Sequence, residues 1–171
     1  EAVRIDDGKE ILLSCMNGQK KGENVHLFGS VDVVDSQVDV YQIGDTFYRK
    51  DIVSGSWMKM TGQNLEATEY LLQEINPLGC LILHANAEVT ELKKENVNNI
   101  NCRRFQVRSS GESSFLTSVW NEFFYTVWID KEHRLQKAEV IAGSHEHQGE
   151  QLKLTVYFDW ECPVEDILPP V

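Results

Sequence analysis

No stretch of this 171-residue sequence is long and apolar enough to cross a bilayer as a helix. Basic residues are also scarce, 16 Lys and Arg against 27 Asp and Glu, for a net charge of −11. That balance weighs against nucleic acid, whose binding needs a basic surface to displace counterions. It also weighs against direct docking on anionic lipid headgroups, but not against a buried lipid ligand. The sequence opens at Glu1 with neither Met nor an apolar leader, so any signal peptide is expected to have been removed.

Catalytic and cofactor signatures are missing too. GxGxxG and GxxxxGK do not occur, so no glycine loop is expected to cradle phosphate. GxSxG is absent, and "GSH" and "SGS" lack the nucleophile-elbow pattern. Paired carboxylates lie near the chain ends, at Asp6-Asp7 and Glu165-Asp166, and read as solvated. His145 and His147, two apart, could share a metal on a strand, but they sit in the turn-like "GSHEHQGE" and no third ligand is spaced for them. A solvated turn is the expectation, and neither an enzyme, a metal nor a cofactor is expected. The four cysteines, Cys15, Cys80, Cys102 and Cys162, include no CxxC pair, which argues against zinc and thioredoxin-type sites. Their even number fits two disulfides in an oxidising compartment, in any of three connectivities, or else buried thiols.

What the sequence does have is a soluble domain's composition, 42% hydrophobic and 25% charged, in a length that predicts one domain over 1–171. After Asp6-Asp7-Gly8, the residues Ile11, Leu12, Cys15 and Met16 recur at helical spacing and predict a short first helix stopped near Gly18. "VHLFGSVDVV" alternates, with Val25, Leu27, Val31 and Val33 on one face and His26, Ser30 and Asp32 on the other. The apolar parity of the next strand shifts between Val40 and Tyr41, which suggests a bulge or a strand wetted on neither face. "TFYRKDIV" and "SWMKM" continue an antiparallel meander, with Asp45 and Gly55 near its turns.

The period then changes. Leu65, Thr68, Leu72 and Ile75 predict a helix capped by Asn64 and ended by Pro77 and Gly79. "CLILHANA" fits a helical turn or a buried strand equally. A hairpin is expected around Asn98-Asn99, then a helix with Phe115, Leu116, Val119, Trp120 and Phe123 on one face. "YTVWID", "RLQKAEVIAG" and "QLKLTVYFDW" read as strands, the last with an apolar row of Leu152, Leu154, Val156, Phe158 and Trp160. The tally is eight or nine antiparallel strands with two or three helical segments.

This order, with "Y-x-x-G-D-x-F-Y" (Tyr41, Gly44, Phe47, Tyr48), "W-x-K-M" from Trp57, "N-V-N-N-I-N-C-R-R-F-Q-V" and "V-W-I-D…R-L-Q-K" (Val127 to Asp130, Leu135, Lys137), resembles the extracytoplasmic lipoprotein superfamily of LolA, LolB and the mycobacterial LppX and LprG proteins. The resemblance covers nearly the whole chain. It implies an α+β fold, a curved, unclosed antiparallel half-barrel with helices packed as a lid on its concave face. It also implies a monomeric, non-enzymatic carrier that holds a lipid or the acyl chain of a lipoprotein, without a cofactor and without nucleic acid. The expected ligand-facing set is Leu27, Val31, Trp57, Leu72, Phe115, Val119, Trp120, Phe123, Val127, Leu154, Val156 and Phe158, with Trp120 on the lid. The resemblance further implies an exported, membrane-anchored lipoprotein of the cell envelope, whose anchoring cysteine is not in this sequence. With export come the expected disulfides Cys15–Cys162 and Cys80–Cys102, paired on the order of the elements. A half-barrel filled by its own side chains, serving as a cell-surface interaction or sensor module with a protein partner, is the competing expectation.

Overall fold

A computed structural model describes residues 1–31, 36–51, 53–61, 88–109, 120, 122–143 and 149–170. These residues contain eleven strands and no helix, which overturns the α+β expectation: the described fold is all-β. The strands are β1 (Ala2–Asp6), β2 (Lys9–Lys21), β3 (Asn24–Val31), β4 (Ser36–Ile43), β5 (Thr46–Lys50), β6 (Trp57–Thr61), β7 (Glu88–Val97), β8 (Ile100–Ser109), β9 (Glu122–Ile129), β10 (Leu135–Gly143) and β11 (Glu150–Tyr157). They form one sheet in the order β6-β5-β4-β3-β2-β1-β11-β10-β9-β8-β7. Consecutive strands lie side by side except β6 and β7, which form the two edges of the sheet, and β11 returns to pair antiparallel with β1, Ala2 opposite Leu154.

The expected first helix is β2 instead. Asp7 and Gly8 both adopt positive φ, 47° and 80°, and together turn β1 back into β2. A two-residue Asp-Gly turn with both φ values positive matches the right-handed twist of a hairpin, so it sets a strand where helix periodicity suggests a cap. The other predicted helices, over Leu65 to Ile75 and from Phe115, fall largely outside the described residues; Phe123, counted on the second, belongs to β9.

Hairpin signals elsewhere hold. Asn98 and Asn99, at φ 48° and 65°, join β7 to β8. Gly44, at φ 55°, and Asp45 join β4 to β5, between the paired residues Ile43 and Thr46. No bulge occurs at Val40-Tyr41: the β3–β4 register runs unbroken from Val25–Gln42 to Val31–Ser36. The parity shift reflects instead an aromatic polar face, on which Tyr41 packs against His26.

The chain divides into two compact units. Unit 1 comprises Glu1–Ile11 and Gln73–Asp159; unit 2 comprises Leu12–Leu72 and Trp160–Val171. In unit 1 the alternation of β9 and β10 buries every second side chain on one face, and Val97, Cys102 and Trp128 form a buried apolar cluster on the other. In unit 2 Val40 and Phe47 are buried, and β2 and β3 approach closely at Gly29. A Cβ at Gly29 would collide with the Cys15 carbonyl oxygen and lie 2.8 Å from the Met16 Cα, so only glycine fits there.

Candidate ligand-binding face

Cross-strand register assembles one apolar surface in unit 1. On β9 it carries Phe123, Tyr125 and Val127; opposite them on β10 stand Ala142, Val140 and Ala138; opposite those on β11 stand Leu152, Leu154 and Val156. On the other side of β9, Val107 of β8 lies opposite Tyr125, and Phe105 opposite Val127. Tyr125, Ala138 and Ala142 are each 1% exposed and Val140 is 2% exposed. The row on β10 is small, Ala-Val-Ala, between rows of large side chains on β9 and β11. Side chains alternate across a strand, so these three rows share one face, with the small β10 row packed between the larger ones. The face is apolar, and full burial of one such aliphatic or aromatic side chain is worth about 1.5–3 kcal/mol.

The reverse face of the same strands is polar and tightly paired. The Lys137 ammonium lies 4.2 Å from the centroid of the Trp128 ring and 5.5 Å from that of Tyr157. The same ammonium is 3.3 Å from Glu139 Oε2. Trp128 Nε1 donates to Glu95 Oε2 at 3.3 Å, and Arg104 donates to that oxygen at 2.7 Å. The Arg104 hydrogen bond, followed by that of Trp128, holds the Glu95 carboxyl below the usual carboxylate range. Trp128 packs on Val97 and Cys102, and burial raises the pKa of the Cys102 thiol. Beside this cluster runs a polar groove of about 110 Å³ whose walls include Lys137, Glu139, Lys153 and Glu10. Both lysines are already matched to carboxylates, Lys153 to Glu10 at 3.5 Å.

The motif around Asp130 is structural. Its carboxylate is fully buried at the β9–β10 turn and accepts from Arg134 N at 2.8 Å, Arg134 Nε at 2.9 Å and Gln136 Nε2 at 2.6 Å. A bulge between Leu135 and Lys137 takes Gln136 out of register and frees its side chain for this contact. The Gln136 carbonyl accepts from Phe158 N at 3.0 Å, which fixes the backbone just beyond β11.

The expected ligand set divides. Phe123, Val127, Leu154 and Val156 share the apolar face of unit 1. Trp120, just before β9, is buried at 8% exposure, and Phe158 is half-buried. Leu27 and Val31 lie on β3 of unit 2, on the face opposite His26. Trp57 belongs to the other face of that unit, where it meets Tyr41 edge-on at 5.3 Å; Tyr41 stacks flat on His26 at 3.9 Å, and His26 Nε2 pairs with Asp39 Oδ1 at 2.9 Å. Burial, aided by the Asp39 charge, raises the Tyr41 pKa. Leu72, Phe115 and Val119 lie outside the described residues, as do His145, His147 and Cys80. Sequence reasoning missed Tyr125, Ala138, Val140 and Ala142, although the alternation "FFYTVW" and "AEVIA" carries them.

The expected Cys15–Cys162 and Cys80–Cys102 bonds are corrected. No disulfide involves Cys15, Cys102 or Cys162. Cys15 stands on strand β2, opposite Ser30, and not on a helix brought to the chain's end. The Cys102 thiol donates to Ile100 O at 3.4 Å, and the Cys162 thiol to Pro163 O at 3.9 Å. Among the described residues no group of three His, Cys, Asp or Glu side chains is placed to hold a metal.

No protein-family model and no curated protein sequence matches the chain. Solved structures do. The lipoprotein LppX of Mycobacterium tuberculosis matches 96% of this chain and 88% of its own, with a TM-score of 0.52 at 13% identity. LprF of Mycobacterium bovis matches 96% and 85%, with a TM-score of 0.50 at 10% identity. A LolA superfamily protein of Nitrosomonas europaea covers 92% and 83% at 10% identity, but its TM-score of 0.31 is too low to weigh. The two mycobacterial structures bear out the resemblance read from the order of elements. At these identities the likeness is one of fold.

Proposed function

We propose that this protein is an extracytoplasmic, non-enzymatic carrier that holds the acyl chain of a lipid or lipoprotein against the apolar face of unit 1. The observation that carries the reading is the apolar face on which register sets the small row Ala138, Val140 and Ala142 between the large rows of β9 and β11. The LppX-like fold supports it, since LppX is itself a lipoprotein. Phe123, Val127, Leu154 and Val156 supply the large apolar side chains of this face. Each acyl methylene withdrawn from water contributes about 0.8 kcal/mol, so a chain of ordinary length binds with few polar contacts. In the cell the protein would sit at the envelope, monomeric, taking an acylated ligand from one site and yielding it at another.

Titration of delipidated protein with a fluorescent fatty-acid analogue tests this. Ala142→Leu places a larger side chain in the small row of this face, so it should weaken probe binding while the far-ultraviolet dichroism keeps its β-sheet form. Full probe affinity in folded Ala142→Leu protein would remove this face from the account. The second reading, an interaction module with a self-filled interior, draws on the near-complete burial of Tyr125 and Ala138. It predicts no probe binding by either protein.

A further inference from the structure

The net charge of the chain conceals a local exception. The hairpin of β5 and β6 carries Arg49, Lys50 and Lys59 against the single carboxylate of Asp51, in a chain of net charge −11. At its tip Val53 is 97% exposed, the most exposed large apolar side chain among the described residues. Behind the tip, Lys50 lies opposite Trp57 in register, its ammonium 5.6 Å from the indole centroid, and Met58 is 43% exposed.

Hydrogen bonds within the turn that presents Val53 engage several of its polar groups. Asp51 N donates to Ser56 O at 2.9 Å and Gly55 N to Asp51 O at 2.8 Å. Ser54 N and Ser54 Oγ both donate to Asp51 Oδ1, at 2.6 and 2.7 Å, and Ser56 N donates to Ser54 Oγ at 3.3 Å. Gly55 makes the bend at φ 70°. A turn closed by its own hydrogen bonds can leave water with little desolvation penalty, because those backbone groups need no solvent partner. Asp51, the one acidic group of the hairpin, is committed to this network. An apolar tip with a Trp and several cations behind it matches the layering of a membrane interface, where indoles and lysines sit at headgroup depth and aliphatic groups below.

We propose that the β5–β6 hairpin docks on anionic lipid, with Val53 entering the headgroup–acyl boundary, Trp57 at the interface, and Arg49, Lys50 and Lys59 facing lipid phosphates. Each interfacial cation adds to attraction for an anionic leaflet, and the attraction is screened by salt. The proposal does not depend on what the apolar face of unit 1 binds.

Flotation with intact phosphatidylcholine vesicles, with and without phosphatidylglycerol, tests it. The protein should float with the phosphatidylglycerol vesicles at low salt, and high salt should release it. Lys50→Gln and Lys59→Gln should each weaken binding about fivefold. Val53→Asp should abolish flotation while fatty-acid probe binding and the thermal melt stay those of the parent, since the side chain is exposed and packs on nothing. Protein that stays at the bottom of the gradient with anionic vesicles overturns the proposal. So does a Val53→Asp variant that floats like the parent.

Discussion

Arg134 grips Asp130 twice, through its backbone N–H at 2.8 Å and its Nε at 2.9 Å. Asp130 returns the backbone contact by donating its own N–H to Arg134 O at 3.0 Å. Five residues of turn thereby close on a carboxylate with no solvent exposure, and Gln136, displaced by the bulge, completes its shell. This cluster sets the register between β9 and β10, and with it the alignment of the Phe123, Tyr125 and Val127 row against Ala142, Val140 and Ala138.

The Asp130 cluster gives stability a defined pH dependence. Burial pushes the carboxyl pKa up, but the Arg134 N–H, the Arg134 guanidinium and Gln136 more than offset it, so the folded pKa lies below its ordinary value. The unfolded carboxyl titrates near about 3.9, so the contribution is complete above that pH and is lost as pH falls through the lower folded value. Asp130→Asn should lower the melting temperature clearly at neutral pH, and the gap to the parent should narrow in strong acid. Thermal melts across that range check this; a gap independent of pH would contradict it.

Leu154 is a test of the apolar face as packed structure. It is 6% exposed and lies opposite Val140 on one side and Ala2 on the other. Leu154→Ala in a tightly packed core costs about 2–5 kcal/mol. With an acyl chain held on this face, added fatty acid should stabilise the parent more than the variant. Denaturant titrations with and without fatty acid give both quantities. Equal stabilisation of both proteins would place the ligand elsewhere.

Asn24 ties the end of the chain to the β4–β5 turn within unit 2. Its Nδ2 donates to Ile167 O at 3.1 Å and its Oδ1 accepts from Gly44 N at 3.3 Å, while Ile167 is buried. Asn24→Ala should cost about 1 kcal/mol per hydrogen bond lost and speed amide exchange at Gly44 and along 163–168. The neighbouring Lys21–Asp166 pair at 2.7 Å is exposed on both sides, so Lys21→Ala should change stability by less than about 1 kcal/mol. Hydrogen exchange that is as fast at Gly44 in the parent as in Asn24→Ala would refute the tie.

The cysteines separate by depth. Cys15 is exposed and Cys102 has no exposed surface, with its thiol pKa raised by burial. A thiol reagent should modify Cys15 in native protein within its ordinary reaction time and reach Cys102 only on unfolding. Native protein in which Cys15 resists the reagent until a reductant is added would restore the disulfide reading for that residue.

The fold's hairpins were legible because their turns demand particular residues. Asn98-Asn99 and Gly44-Asp45 announce positive φ, and the strands on either side follow. The failure at β2 came from the same chemistry read in the wrong sense. Asp7-Gly8 can cap a helix or turn a hairpin, and the chance recurrence of Ile11, Leu12, Cys15 and Met16 favoured the helix. The pairing of β2 with β3, which needs glycine at position 29, decides for the strand, and no local pattern in 9–21 encodes that partner. The site was half legible. Phe123, Val127, Leu154 and Val156 stand out as large apolar residues. Ala138 and Ala142 did not, because small side chains carry weak hydrophobic signal, and their value lies only in the larger rows that register brings beside them. Trp57 was misgrouped with Leu27 and Val31 because face assignment across three hairpins depends on every intervening register.

The central claim is that an acyl chain occupies the apolar face of unit 1. Native mass spectrometry of protein purified from its own envelope tests it most directly, compared with the same sample denatured in organic solvent. The account predicts native masses above that of the polypeptide by the mass of one acylated ligand, which denaturation releases and Ala142→Leu diminishes. A native mass equal to that of the polypeptide alone, unchanged when lipid extract is supplied, would contradict it.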